Sequence, residues 1–250
     1  MGKTYRNLSL RLRTVADMVT KNHKIADIGT DHGFVPISLI ERKIIPSAIA
    51  MDVNQGPLEI AKENIESVGL SHKIEVRQSD GFERLKPNEV DCAVLAGMGG
   101  NLIVKILMEY WQVTRSLKEC IIQPQSEWEK VRKYLVDHDF SIIQEEMVKD
   151  GGKYYLMMKV VVGQDPIYED KRVESSWKER DNWSQTELSF GKLLLENKNP
   201  ILEEYLLREV ALKEEILEQL KKEMGEHIEA RRKEILEEIT LLKEGLVSYN

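Results

Sequence analysis

Between residues 24 and 162 short apolar segments with the look of strands alternate with amphipathic segments with helical spacing, and this rhythm confines the chain to an α/β fold. Segments 24–29, 48–52, 73–78, 90–96 and 119–123 read as strands. Segments 35–42, 57–68 and 101–110 read as helices, and Ser126 with Glu129 three residues on reads as a capping box that opens another. Five strand-plus-helix units predict a parallel sheet with helices on both faces. Two further strands, 140–148 and 153–162, flank Lys149-Asp150-Gly151-Gly152, a hairpin turn that adds one antiparallel strand at the end. Ahead of this region, residues 7–20 place Leu8, Leu12, Val15 and Val19 near helical spacing, an opening amphipathic helix.

After Gly163 the pattern changes. Residues 165–181 are polar and uneven, and from about Thr186 to Leu246 Glu, Lys and Leu dominate without a strand signal. Coiled-coil-like spacing predicts two helices, 199–223 and 227–247, folded back as an antiparallel hairpin; one long helix pairing with a second subunit is the alternative. The chain therefore divides into residues 1–162 and an all-α part, 163–250. The oligomeric state stays open, with a lean toward a monomer.

Charge is unevenly placed. The whole chain carries a net −7, yet residues 1–26 hold six cations against Asp17 alone. A local basic face can attract phosphate on an acidic protein, because charges more than about 10 Å away are largely screened at 0.1 M salt. The same residues also fit a plain solvated helix face. Cys92 and Cys120 lie in apolar strands and form no CxxC pair or zinc spacing, so a reducing compartment and no metal site are expected. No apolar run approaches the roughly 18 residues of a membrane span, and the polar N-terminus does not read as a signal peptide; a soluble cytoplasmic protein is expected.

The strand ends hold the candidate chemistry. The first ends in Asp27-Ile28-Gly29-Thr30-Asp31-His32-Gly33. Gly29 permits a sharp turn and close ligand approach, and Gly33 permits tight packing of the helix start. Asp31 and Phe34 stand where the dinucleotide fingerprint G-x-G-x-x-G needs glycine, and the Asp31 carboxylate repels a pyrophosphate. A cationic sulfonium suits this loop better, although Thr30 or Asp31 could equally be a helix N-cap. Asp52, next to Val53, ends the second strand and can accept both hydroxyls of a ribose, or simply be an exposed strand end. Asp80-Gly81 follows the third strand; Asp80 can accept from an adenine amine or form a capping pair with Glu83. The fourth strand ends in Ala96-Gly97-Met98-Gly99-Gly100, which permits unusually close approach of a planar ring or methyl donor. Gln123 and Gln125 around Pro124 could bond a base edge or serve the turn. Of the five histidines only His32 sits among these residues, and the other four are expected to be exposed.

The segments LSLRL (8–12), DIGTDHGFVPISL (27–39), AMDVNQGPL (50–58), SDGFERL (79–85), LAGMGG (95–100), IIQPQ (121–125) and GGKYYLMMKV (151–160) together resemble the bacterial tRNA (adenine-22-N1)-methyltransferase family. Thr30 and Phe34 each vary one motif position. The resemblance implies a Rossmann-like class I methyltransferase sheet with a C-terminal antiparallel hairpin strand, plus a coiled-coil-like helical domain. It implies S-adenosylmethionine as methyl donor and tRNA as substrate. On this reading Asp27, Gly29, Thr30, Asp31, His32, Gly33, Asp52, Val53, Asp80, Gly81, Ala96 and Gly97 bind the cofactor. Asp31, Gly97, Met98 and Gly99 lie at the reaction, and Arg11, Arg13, Gln123, Arg231, Arg232 and Lys233 hold tRNA. The last three, with Lys221 and Lys222, form a cationic tip around Gly225. Adenine N1 has an in-plane lone pair and needs no general base, so alignment and charge stabilisation are the expected contributions, with Asp31 favouring the cationic product. A methyltransferase for a small molecule or another RNA, a nicotinamide-dependent oxidoreductase and a non-catalytic tRNA binder are the rival classes.

Overall fold

A computed structural model describes residues 3–163, 182–220 and 225–249. The chain separates into two compact units, 1–181 and 182–250. The expected linker 165–181 falls outside the described residues, as do Lys221 and Lys222.

The first unit is built on a seven-stranded sheet of order β3-β2-β1-β4-β5-β7-β6. Its strands are β1 (Ile25–Ile28), β2 (Ala48–Asp52), β3 (Ile74–Gln78), β4 (Cys92–Met98), β5 (Glu119–Pro124), β6 (Phe140–Asp150) and β7 (Lys153–Val162). β1 to β5 are parallel, and β7 inserts antiparallel between β5 and β6. The hairpin expectation holds: Gly151 and Gly152, at φ 56° and 79°, supply the two left-handed positions of a two-residue turn. Around the strands lie α1 (Lys3–Asn7), α2 (Leu10–Met18), α3 (Phe34–Glu41), α4 (Gln55–Ser67), α5 (Gly100–Glu109), α6 (Trp111–Ser116) and α7 (Trp128–Asp137).

Both sheet faces are buried, which explains the near-continuous apolar strands. Ile25, Ala50, Cys92, Val94 and Ile121 pack with Val15 of α2, Ile37 and Leu39 of α3 and Ile65 of α4. The alternate residues Ala26, Ile49, Ala93, Leu95 and Ile122 point the other way and are equally buried, as are Ile103, Leu107, Val131 and Leu135 of α5 and α7. Burial raises the Cys92 thiol well above its usual range and the Cys120 thiol to about 12, so neither is a nucleophile at neutral pH.

Four local expectations need correction. The opening helix is two helices, because Ser9 caps α2 by accepting from the Leu12 N–H. β3 and β4 are joined by turns, with the Glu83 N–H on the Asp80 carbonyl, so one of the five units has no helix. The Ser126 capping box does not form: α7 is preceded by Glu127 at φ 51°, and its carboxylate accepts instead from the Ser126 hydroxyl and the Asn101 N–H. His23 is not an exposed surface group. Its Nδ1 lies 3.3 Å from the carboxylate of fully buried Glu119, which also accepts from Thr20 and faces Lys159 at 3.2 Å. Burial alone would raise the Glu119 pKa, but these partners hold it at about 2.

The second unit contains α8 (Gln185–Phe190), α9 (Lys192–Glu196), α10 (Pro200–Leu220) and α11 (Glu226–Val247). Its last two helices are an antiparallel pair within one chain. The Tyr249 hydroxyl reaches the Asn199 carbonyl at 2.9 Å, whereas Arg232 donates to the Leu220 carbonyl at the other end. Between these ends Lys213 pairs with Glu238, and Lys243 with Glu214 at 2.7 Å. Among the described residues no helix is long and apolar enough to cross a membrane.

Candidate active site

In an open parallel sheet, ligands bind outside the carboxyl ends of the strands where the order reverses. Here that switch point falls between β1 and β4, and the residues expected to bind the cofactor lie at or just beyond the same edge. Register aligns Asp27 with Ala50 of β2 and Val94 of β4. The loop after β1 is tied to β2 by the Thr30 N–H on the Met51 carbonyl at 2.8 Å, and the Ser79 N–H on the Asp52 carbonyl at 2.9 Å ties the next loop.

Asp27 is 6% exposed, and the Thr30 hydroxyl donates to its Oδ2 at 2.7 Å. Burial lifts its pKa to about 6, with Asp52 and Asp31 adding repulsion that the Thr30 bond only partly offsets. A buried carboxylate in that state is stabilised by a cation. Neither Thr30 nor Asp31 caps α3, whose N-cap is Gly33 at φ 69° with no side-chain cap bond. Asp31 points outward and pairs with His32 Nε2 at 2.9 Å, and His32 stacks on Phe34 with centroids 5.4 Å apart.

The glycines divide by role. Gly29, at φ 70°, lies against the other glycine turn: a Cβ there would be 3.2 Å from Met98 Cε. Gly33 packs against Ala61 and Ile65 of α4, not against the strand, and a Cβ on Gly81 would clash with Ile106 Cγ1 at 2.9 Å, so both have packing duties. The register of β4 against β5 shifts between Ala96 and Met98, leaving Gly97 as a bulge at φ 83°. Bulges of this kind re-aim the backbone beside active sites. The Gln125 N–H on the Met98 carbonyl at 2.9 Å fastens this turn to the loop after β5. Asp52 receives the Asn54 N–H at 2.7 Å on Oδ1, Val53 is exposed beside it, and Asp80 is exposed.

The residues expected to hold tRNA fall in both units, Arg11, Arg13 and Gln123 in the first and Arg231, Arg232 and Lys233 in the second. Arg11 reaches the Gly97 turn, where its Nη1 donates to Gln123 Oε1 at 2.8 Å. Gln123 itself is fully buried, so it supports Arg11 and is not open to a base edge. The Arg13 guanidinium bonds the carbonyls of Leu8 and Arg6, closing the α1–α2 break. In the second unit Arg231 pairs with Glu234 at 2.8 Å, Arg232 with Glu229 at 2.5 Å, and Lys233 lies 3.9 Å from Glu237. These neighbouring glutamates balance the charge that the sequence suggested was free. The Arg11–Gln123 pair joins residues 112 apart, and no local pattern announces it.

The acidic strand ends, the two glycine turns and the switch-point crevice define a nucleoside-cofactor methyltransferase, and a family profile described as Methyltransferase domain matches residues 8–158. The chain is 30% identical over 239 residues, 95% of its length and 96% of the relative's, to the tRNA (adenine(22)-N(1))-methyltransferase of Bacillus subtilis (strain 168). The chain belongs to the tRNA (adenine(22)-N1)-methyltransferase family. The crystal structure of the B. subtilis enzyme TrmK superposes with a TM-score of 0.79 at 30% identity, covering 96% of this chain and 98% of that one. TrmK of M. capricolum, solved with S-adenosyl-homocysteine, superposes with a TM-score of 0.80 at 28% identity, covering 97% and 99%.

Proposed function

We infer that this protein methylates N1 of adenine 22 in tRNA, using S-adenosylmethionine. The observation that carries the reading is the crevice between β1 and β4, where a buried, incompletely compensated Asp27 and the left-handed glycines Gly29 and Gly97 meet at one sheet edge. When bound, S-adenosylmethionine supplies a methyl group on a cationic sulfonium. Asp27, with Thr30 fixing one oxygen, offers negative charge to the cationic part of that ligand. Asp52 has an oxygen available for ribose hydroxyls, and Asp80 extends the acidic edge toward the base. The loop from Gly29 to Gly33 and the residues Val53, Gly81 and Ala96 complete the cofactor's surroundings.

Adenine N1 is already a nucleophile, so the chain need not remove a proton. Its task is to present the ring edge at the Gly97-Met98-Gly99 turn, exclude water and stabilise the positive charge that develops on the base. Alignment of this kind lowers a barrier by about 7–11 kcal/mol at best. Exposed Asp31 favours the cationic product electrostatically. Because N1 lies on a pairing edge, the nucleotide must leave its stacked position. In this reading residues 1–162 carry methyl transfer, and residues 163–250, helical where they are described, support the tRNA body.

The test is methyl incorporation by the full chain from labelled S-adenosylmethionine into two tRNA transcripts that differ only by A22→G. Incorporation into the A22 transcript alone is expected; equal incorporation into both rejects the assignment of the target.

A further inference from the structure

Arg11 is the least satisfied cation at the catalytic edge. Among the described residues its guanidinium makes one hydrogen bond, from Nη1 to Gln123 Oε1 at 2.8 Å, and lies over the Tyr155 ring at 5.5 Å. Both partners are uncharged. A guanidinium has five N–H donors, and among the described residues no carboxylate comes within ion-pair distance of this one. The nearest acid in its network, Asp150, accepts from the Arg11 backbone N–H at 3.0 Å. The side chain is nonetheless half-buried, and a charge withdrawn from water without a counter-ion is costly unless an anion completes the site.

The surroundings hold this group rigidly. Gln123 is fully buried, and its Nε2 donates to the Pro124 carbonyl at 3.1 Å, which fixes the amide so that its oxygen faces Arg11. α2, which carries Arg11, is anchored at its start by Asp150, at its last residue by Lys159 on the Met18 carbonyl and just beyond it by Glu119 on Thr20. The guanidinium thus stands 3.5 Å from the point where a Cβ on Gly97 would lie, on the β4–β5 side of the edge and away from Asp52 at the end of β2 and Asp80 after β3.

We propose that Arg11 receives the phosphate of the target nucleotide, gripping the backbone beside the Gly97 turn so that the extruded adenine enters the crevice in one orientation. A planar fork pre-aimed by an uncharged amide suits phosphate geometry, and the lack of an internal carboxylate keeps the fork open until substrate arrives. The proposal rests on the tRNA methyltransferase reading above. The other oxyanion that could reach this place is the amino-acid carboxylate of the cofactor, and the experiment separates the two.

Arg11→Gln, Arg11→Lys and Gln123→Glu are each assayed on A22 tRNA at several salt concentrations, and S-adenosyl-homocysteine affinity is measured by calorimetry. Arg11→Gln should lower kcat/KM for tRNA by about 100-fold and reduce the salt slope by about one phosphate contact. Its affinity for S-adenosyl-homocysteine should stay within about twofold of wild type. Gln123→Glu gives Arg11 an internal counter-ion and should lower kcat/KM about tenfold with the same flattened slope. Should Arg11→Gln not fold, Arg11→Lys decides, with a folded protein and a reduced kcat/KM expected because the fork is lost. Unchanged tRNA kinetics overturn the proposal, as does a loss of S-adenosyl-homocysteine affinity that matches the loss in kcat/KM. If the wild-type protein itself leaves tRNA unmethylated, the functional reading fails and not the placement of Arg11.

Discussion

The hydroxyl of Thr30 donates to Oδ2 of Asp27 at 2.7 Å and, among the described residues, is the one side-chain hydrogen bond that the buried carboxylate receives. One such bond does not compensate for burial, and the Asp27 pKa rises from 3.8 to about 6. The folded chain therefore binds this proton more tightly than the unfolded chain does. Stability gained from the proton is present below about pH 4 and is lost as pH rises to about 6. The ceiling on that loss is about 3 kcal/mol, at 1.36 kcal/mol per pH unit. Without cofactor, thermal unfolding of the wild type is expected to occur at a lower temperature at pH 7.5 than Asp27→Asn shows, with the difference shrinking toward pH 5. Cofactor affinity should move the opposite way, rising through pH 6 in the wild type and staying flat and weaker in Asp27→Asn. A variant less stable than wild type at pH 7.5 would contradict the assigned sign.

Asp52 is the second carboxylate of the edge, and among the described residues only its Oδ1 is engaged, by the Asn54 N–H. Asp52→Ala is expected to weaken S-adenosyl-homocysteine binding by about 1–3 kcal/mol, the range for leaving polar partners unsatisfied. Calorimetry at pH 7.5 measures this directly. Wild-type affinity in the variant would remove Asp52 from the site.

Much of this architecture is legible in the residues themselves. Strand ends are marked by Asp27, Asp52, Asp80, Gly97 and Gln123, because a strand buried on both faces leaves only its ends for polar chemistry. The antiparallel finish is announced by Gly151 and Gly152, whose left-handed backbone the turn requires. What escaped local reading depends on distant partners. Ser126 and Glu129 have the spacing of a capping box, yet Glu127 takes the cap position since its carboxylate finds the start of α5, 26 residues away. Gln123 looks like a base reader from its place at the end of a strand, but Arg11, from a helix far upstream, claims its oxygen. The basic segments look free for phosphate only while their glutamate and carbonyl partners are unseen, as Arg13 and Arg232 show.

Arg232 bonds both Glu229 and the Leu220 carbonyl, so it ties α11 to the end of α10. Arg232→Ala is expected to destabilise the helical hairpin by about 1–2 kcal/mol, read by chemical denaturation. Arg231 and Lys233 are more exposed, and reversing both to Glu should raise the KM for tRNA severalfold without altering cofactor affinity. A change of a hundredfold or more would show that the hairpin end is a principal tRNA contact despite its glutamates. No change would assign the hairpin to assembly or stability.

The central claim is that methyl transfer takes place at the Gly97 turn of the sheet's carboxyl edge. Gly97 is the bulged residue of β4, at φ 83°, with Arg11 and Gln125 within 4 Å of the position its Cβ would occupy. Valine there would both strain the backbone and fill the space for the base. The decisive measurement is single-turnover formation of N1-methyladenosine at position 22 by Gly97→Val, quantified by nucleoside mass spectrometry with S-adenosylmethionine binding verified on the same preparation. The expected result is a folded protein that binds the cofactor and forms at most about 1% of the wild-type product, a loss of roughly 3 kcal/mol or more in transition-state stabilisation. Near-wild-type product from a variant that binds cofactor normally would contradict the claim and place the reaction elsewhere.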